Sequence, residues 1–333
     1  MTTTPPPLTP PPFDPELAAA LAVMGEMAPT TLTPETLALA RAAEEAGMDG
    51  PFPLLTNEEM RRDGVFDVEE RTVPGPEGAP EISLLICRPT RVQEPRPVIY
   101  HTHGGGMVLG NNRLGMEFTL DCAEEFGLVV VSVEYRRAPE HPHPAPVEDC
   151  YAGLLWTAQN AKEIGADPDR VILAGDSAGG GLAAALALMA RDRRGPRPIG
   201  QLLSCPMLDD RNDTPSAHQM AGLGIWDRQA NETGWSALLG EARGTADVSP
   251  YAAPARAEDL SGLPPAYIDC GSAETFRDED VAYASRIWQA GGEAELHVWP
   301  GGFHAFDGLA PQAALSQDAR AARLRWLHRL LGE

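Results

Sequence analysis

Ser177 stands in the run Ala174-Gly175-Asp176-Ser177-Ala178-Gly179-Gly180-Gly181. An apolar stretch before it, Arg170 to Leu173, predicts a buried strand, and an alanine-rich stretch after it, Leu182 to Arg191, predicts a helix. A serine hydroxyl is a weak nucleophile until a neighbouring base takes its proton. A sharp strand-to-helix turn lifts it above the sheet edge, where a base can reach. Gly175 and Gly179 suit a turn too tight for side chains on both flanks. The same turn aims the N–H of Ala178, near a helix N-terminus, at an oxygen that becomes charged during attack on a carbonyl. An ordinary strand–helix connection would read in much the same way, so a second motif has to decide. It lies upstream, where Pro97-Val98-Ile99-Tyr100 runs into His101-Thr102-His103-Gly104-Gly105-Gly106-Met107. Three glycines after a strand let backbone N–H groups converge on one point, and Gly104, Gly105 and Ala178 are the expected oxyanion hole. His103 is expected to anchor this loop through its ring nitrogens. A flexible turn or a phosphate cradle is the competing reading of the glycines, but no Gly-Lys-Ser/Thr follows them.

A serine on such an elbow draws its acid and then its base from later strand ends, in that chain order. Of the eight histidines, only His218, His297, His304 and His328 follow Ser177. His304 lies in Trp299-Pro300-Gly301-Gly302-Phe303-His304, directly after the alternating run Ala294 to Trp299, and is the expected base. His297 falls inside that strand and His328 inside a terminal helix, while His218 has no motif around it. The acid should follow the preceding strand, Pro265 to Gly271, whose loop offers Glu274, Asp278, Glu279 and Asp280. Glu274 is nearest the strand end. The other three suit the first turn of a helix, where acids favour the macrodipole.

With these motifs in place the chain resembles the bacterial hormone-sensitive-lipase-like esterases, from about Pro97 to its end. The stretch Glu134-Tyr135-Arg136-Arg137-Ala138-Pro139-Glu140-His141-Pro142-His143-Pro144-Ala145-Pro146 is similar to that family's YRLAPE-x-PFPA segment, with Arg137 for the usual leucine and His143 for the usual aromatic. The family's D-x-x-x-D-E reads here as Glu274 followed by Arg277-Asp278-Glu279. The resemblance implies an α/β-hydrolase fold: a mostly parallel sheet with helices on both faces and a small helical cap. It implies a serine carboxylesterase that uses Ser177, Glu274 and His304 through an acyl-enzyme, without a cofactor. Family members with small caps of this kind tend to accept short and medium acyl chains, so the resemblance implies these substrates. An insoluble-lipid lipase is disfavoured, since no large apolar lid helix is evident. An amidase or peptidase with the same triad, or a non-catalytic binding protein on the same fold, are the alternatives. A homodimer built through the last strand and helix is also implied by resemblance.

The elements that must position these residues can be read coarsely. Strands are expected near 65–73, 82–89, 96–101, 128–135, 170–175, 199–205, 265–270 and 294–299. Helices are expected near 146–163, 177–191, 278–290 and 312–331, the alternation of a sheet covered on both faces. Asp14-Pro15 and Thr33-Pro34 each read as an N-cap with Pro at N1, opening helices that end near Met27 and Gly47. Residues 1–50 are thus expected to form an N-terminal cap segment, 51–207 with 251–333 the catalytic core, and 208–250 a cap insertion. Met107, Leu223, Trp226, Trp235 and Phe276 are the expected pocket residues, each with core packing as its bland alternative.

Composition excludes several partners. With 26 basic and 48 acidic residues the formal charge is −22, which disfavours nucleic acid and anionic membrane surfaces. Pro5 to Pro12 should be extended or disordered. The Thr/Pro-rich start, Met1 to Pro12, lacks the basic and apolar regions of a signal peptide, so residence in the cytoplasm is the expectation. The five cysteines, Cys87, Cys122, Cys150, Cys205 and Cys270, are isolated and sit mostly in apolar segments, which reads as free buried thiols. The pairs His101/His103 and His141/His143 continue into glycines and prolines rather than further ligands, so no metal is expected.

Overall fold

The computed structural model describes residues 8–25, 31–46, 54–91 and 95–332. Eight strands form one sheet: β1 (Phe66–Val73), β2 (Ile82–Pro89), β3 (Arg96–Thr102), β4 (Val129–Glu134), β5 (Ala166–Asp176), β6 (Gly200–Ser204), β7 (Ala266–Gly271) and β8 (Ala294–Trp299). Their spatial order is β1-β2-β4-β3-β5-β6-β7-β8. The pairs β1/β2 and β2/β4 are antiparallel and all the others parallel. The helices are α1 (Pro15–Gly25), α2 (Pro34–Glu45), α3 (Asn57–Arg61), α4 (Met116–Phe126), α5 (Ala145–Gln159), α6 (Ala178–Asp192), α7 (Pro215–Gln219), α8 (Arg228–Leu239), α9 (Arg277–Gln289), α10 (Phe306–Leu309) and α11 (Ala314–Leu331).

The central strands are apolar on both faces because helices cover both. Val98, Tyr100, Val129, Val131, Val171 and Leu173 join a core with Cys150 and Leu154 of α5, Leu182 and Leu186 of α6, and Tyr283 and Ile287 of α9. Their neighbours Ile99, Val130 and Ile172 face the other way, into a core with Met116 and Leu120 of α4 and Trp326 and Leu327 of α11. This is the period-2 pleat of strands buried on both sides.

All eight expected strands are present. β5 is longer than expected, starting at Ala166 rather than Arg170, because Arg96 of β3 finds a partner there past a register shift. The helix expected over 146–163 ends as an α-helix at Gln159 and continues as a 3₁₀ turn over Ala161–Ile164. Helix α4 was not foreseen: its N-cap, Gly115, offers no side chain to the free N–H groups, so it carries no start signal. The two N-terminal helices begin where expected. Asp14 Oδ1 accepts from the N–H groups of Glu16 and Leu17, and Thr33 forms a capping box with Thr36. The expected ends at Met27 and Gly47, and Pro5 to Pro7 of the extended start, lie outside the described residues.

Candidate active site

β5, at the middle of the sheet, delivers Ser177 at φ 57°, ψ −121°, and α6 begins at the next residue. That φ is uncommon for a residue with a Cβ and is held by its surroundings. The Ser177 N–H donates to Ser204 O (2.9 Å), and Ser177 O accepts from Met207 N–H (2.9 Å) and Gly181 N–H (3.0 Å). Gly179 is where α6 crosses closest to β3: a Cβ there would stand 1.9 Å from Thr102 O, a backbone atom. Thr102 Oγ1 instead donates to Gly179 O (2.7 Å), tying helix to strand.

The glycine loop leaves β3 beside this elbow. His103 is fully buried, its ring stacked on Tyr135 at 4.1 Å, with Nδ1 2.8 Å from Gly104 O; Tyr135 Oη donates to His103 O (2.8 Å). Burial pushes this imidazole down to about 3, so it is neutral, anchoring the loop as expected. Gly105 has φ +104°, a region open to glycine, and its carbonyl accepts from both Val108 N–H (3.0 Å) and Leu109 N–H (2.8 Å). The backbone of Gly104 packs against the elbow, near Asp176 O. Gly104 thus lies beside Ser177, with Gly105 next to it in the loop, and Ala178 follows Ser177 at the start of α6.

The loop after β8 brings His304 to within 2.9 Å of Ser177 Oγ through Nε2. Its Nδ1 lies 3.1 Å from Glu274 Oε1, and the other oxygen, Oε2, accepts from Gly271 N–H (2.8 Å) at the end of β7. Ser177, Glu274 and His304 are all buried. Phe276 meets the His304 ring edge-on at 5.2 Å. In the first turn of α9, Asp278 Oδ2 accepts from Ser216 N–H (2.7 Å). Glu279 and Asp280 share this turn, as expected, and both are buried; Glu279 Oε1 accepts from the N–H groups of Leu208 (2.7 Å) and Asp209 (3.0 Å). Burial raises both carboxyls well above the usual range.

The rival histidines lie elsewhere. His297 Nε2 contacts Glu295 (2.9 Å) and its ring stacks on Trp299; His218 Nε2 contacts Asp213 (2.8 Å); His328 packs near Phe126. Of the expected pocket residues, Trp226 and Phe276 flank His304. The indole of Trp226 occupies the space a side chain on Gly106 would need, and its Nε1–H donates to Asn231 Oδ1 (3.3 Å). Met107 is buried behind the glycines, Trp235 is fully buried in the main core, and Leu223 is exposed.

Among the described residues, one group has metal-ligand chemistry: Cys205, Glu274 and His304, with ligand atoms within 4.8 Å of one another. Burial and the neighbouring Glu274 charge raise the Cys205 thiol well above its ordinary value. Glu274 and His304 are engaged with each other, so this group fits a proton relay better than a cation site. Cys205 beside the triad had no motif to announce it.

A serine–histidine–carboxylate chain at the carboxyl ends of β5, β7 and β8, beside a glycine loop after β3, defines a serine hydrolase site on an α/β-hydrolase sheet. The family model described as "alpha/beta hydrolase fold" matches residues 99–308, and the chain belongs to that family. Carboxylesterase NlhH of Mycobacterium tuberculosis is 37% identical over 272 residues, covering 79% of this chain and 83% of that one. Among solved structures, a "Bacterial Heroin Esterase" superposes with a TM-score of 0.84 at 39% identity, covering 96% of this chain and 98% of the other. Esterase LipW from Mycobacterium marinum gives 0.83 at 33%, covering 97% and 99%. The expected hormone-sensitive-lipase-like branch and its fold are borne out by these matches. Among the described residues no helix is long and apolar enough to cross a membrane.

Proposed function

We propose that the chain is a serine carboxylesterase acting on small carboxylic esters of short to medium acyl length. The observation that carries this reading is the unbroken contact chain from Ser177 Oγ through His304 to Glu274. Ser177 attacks the ester carbonyl as His304 Nε2 takes its proton, and Glu274 holds the imidazole in the Nδ1–H tautomer and stabilises the imidazolium. The N–H groups of Gly104, Gly105 and Ala178 receive the oxyanion, each worth about 3 kcal/mol of barrier. His304 then protonates the leaving alcohol, and water repeats the cycle on the acyl-enzyme. Residues 1–50 and 208–250 act as the cap over a 51–207 and 251–333 core. Trp226 against Gly106 supports a pocket of limited size, with Met107 and Phe276 as buried lining, Leu223 at its exposed rim and Trp235 in the core behind it. Five free, buried cysteines suit a reducing cytoplasm. The open edge of β8, with Val298 exposed on the strand and Trp288 exposed on the adjoining α9, is where a second copy would pair.

The test is hydrolysis of p-nitrophenyl esters from acetate to palmitate by wild type and Ser177→Ala. Activity should peak at short or medium chains and fall roughly a million-fold in the variant. A profile rising toward palmitate overturns the acyl range. No hydrolysis of any ester by folded wild type, with cleavage of anilides instead, moves the assignment to amides.

A further inference from the structure

The glycine loop is held from outside by two side chains of α2 that no part of the proposed mechanism uses. Arg41 Nε donates to Val108 O (2.8 Å), one Nη donates to Ala138 O (2.8 Å), and the other pairs with Glu140. Three residues along the same helix, Glu44 Oε1 accepts the N–H of Gly110 (2.9 Å) and Oε2 pairs with Arg137 (2.9 Å). These two side chains lie about one turn apart on one helix face.

Their grip falls on both ends of one short turn. Val108 and Leu109 are the residues whose N–H groups hold Gly105 O, so fixing Val108 O fixes the peptide planes next to Gly105. Gly110 packs back against Gly104 O and the His103 ring, and its N–H is the one Glu44 holds. Ala138, whose carbonyl Arg41 also holds, donates its N–H to Met107 O (2.9 Å). The segment 136–140 thereby supports the loop from its other side. Arg41 reaches Val108 O, Ala138 O and Glu140 through three different nitrogens of one rigid planar fork. An ammonium also has three donors, but all on a single nitrogen, so it cannot span acceptors set this far apart. α2 itself is seated by Leu37, which is buried in the main core, while Thr233 of α8 donates to Leu32 O (2.8 Å) just before the helix.

We infer that Arg41 and Glu44 are positioning residues that set the orientation of the oxyanion-hole N–H groups of Gly104 and Gly105. The inference rests on the esterase reading above. The N-terminal segment is then part of the catalytic apparatus as well as cover for the pocket. Loosening these contacts leaves substrate docking nearly unchanged and weakens binding of the tetrahedral species, because only that species carries the developing charge.

The experiment compares wild type, Arg41→Ala, Arg41→Lys and Glu44→Gln as full chains, with p-nitrophenyl acetate and with an aliphatic trifluoromethyl ketone. The ketone adds to Ser177 and places its oxyanion in the hole. Arg41→Ala should lower kcat by about tenfold to a hundredfold, as loss of near-attack geometry does, with KM within about twofold. Ketone affinity should fall in parallel, Glu44→Gln should show a smaller loss of the same kind, and Arg41→Lys should fail to rescue. A folded Arg41→Ala with unchanged kcat and ketone affinity overturns the inference. So does restoration of activity by lysine, or a loss confined to KM. If Arg41→Ala does not fold, Arg41→Lys and Glu44→Gln decide by the same split. Failure of the underlying reading looks different: wild type itself would then cleave no ester and bind no ketone.

Discussion

Replacing Glu274 by glutamine keeps shape and removes a single charge, and the two hydrogen bonds of this carboxylate set the consequence for catalysis. Gly271 N–H points at Oε2 from 2.8 Å, so in the variant the amide oxygen must take that place. The amide nitrogen then faces His304 Nδ1, which must become an acceptor, moving the ring proton to Nε2. With a proton on Nε2, His304 cannot take one from Ser177. The opposite flip of the amide sets its NH₂ against Gly271 N–H, leaving a buried donor unpaired at about 1–3 kcal/mol. Even then the imidazolium formed during attack lacks its counter-charge. At 3.1 Å and an effective dielectric of about 20, that attraction amounts to about 5 kcal/mol. Each 1.36 kcal/mol is about tenfold in rate, so kcat should fall roughly 10³- to 10⁴-fold, in line with the amide-for-acid exchange in serine-protease triads. The assay is steady-state hydrolysis of p-nitrophenyl butyrate, with Ser177→Ala as the floor and thermal melting as the control for folding. Activity within tenfold of wild type in a folded variant would refute the assignment of Glu274 and of the tautomer logic.

Two further outcomes concern stability. Burial lowers His101 to about 4 and His103 to about 3, below their unfolded value, so stability is intact above pH ~6.5 and is lost as pH falls toward those values. At pH 5 each costs about 2 kcal/mol; burial raises Asp176 to about 6, so its share acts in the opposite sense, lost as pH rises through 6. Urea midpoints at pH 7 and pH 5 should therefore converge in His101→Gln relative to wild type, and an unchanged difference would count against the neutral buried ring. Gly179→Ala would set a Cβ 1.9 Å from Thr102 O and should cost about 3 kcal/mol or more, whereas Gly308→Ala, with nothing within 4 Å, should be near neutral. Equal melting temperatures for the two variants would show that β3 and α6 can part more easily than their contact implies.

What could be read from the chain beforehand was whatever leaves a local mark. A glycine-bounded serine, a glycine run after an apolar strand, and a histidine and an acid just past strand ends all reflect constraints on nearby backbone. They placed Ser177, Glu274 and His304 in one contact chain. The capped starts at Asp14 and Thr33 were legible for the same reason. The grip of Arg41 on Val108 and Ala138 was not, because partners 67 and 97 residues away impose no periodicity and no turn chemistry on either segment. Glu279 stands in the first turn of α9 as expected, but its second role was not legible. It is buried and clasps the backbone of residues 208 and 209, partners 71 and 70 residues away that leave no local mark. Helix α4 escaped because a glycine in the left-handed region, rather than a capping side chain, precedes it.

His304, the proposed base, sits on the loop that follows the outermost strand. β8 is half-buried along most of its length and is paired on one side alone, through β7. Three strand spacings of about 4.8 Å separate it from β5, so residues 300–304 must arch inward for His304 to touch Ser177. The arch is pinned where Ala273 N–H meets Gly302 O (3.0 Å), Gly301 N–H meets Ser272 Oγ (2.8 Å) and Asp14 N–H meets Gly301 O (3.0 Å). Margins of a sheet open at lower free energy than its centre. The expected consequence is an order of failure: opening at this rim would part His304 from Ser177 before the central strands separate, so activity should be lost on heating ahead of the fold.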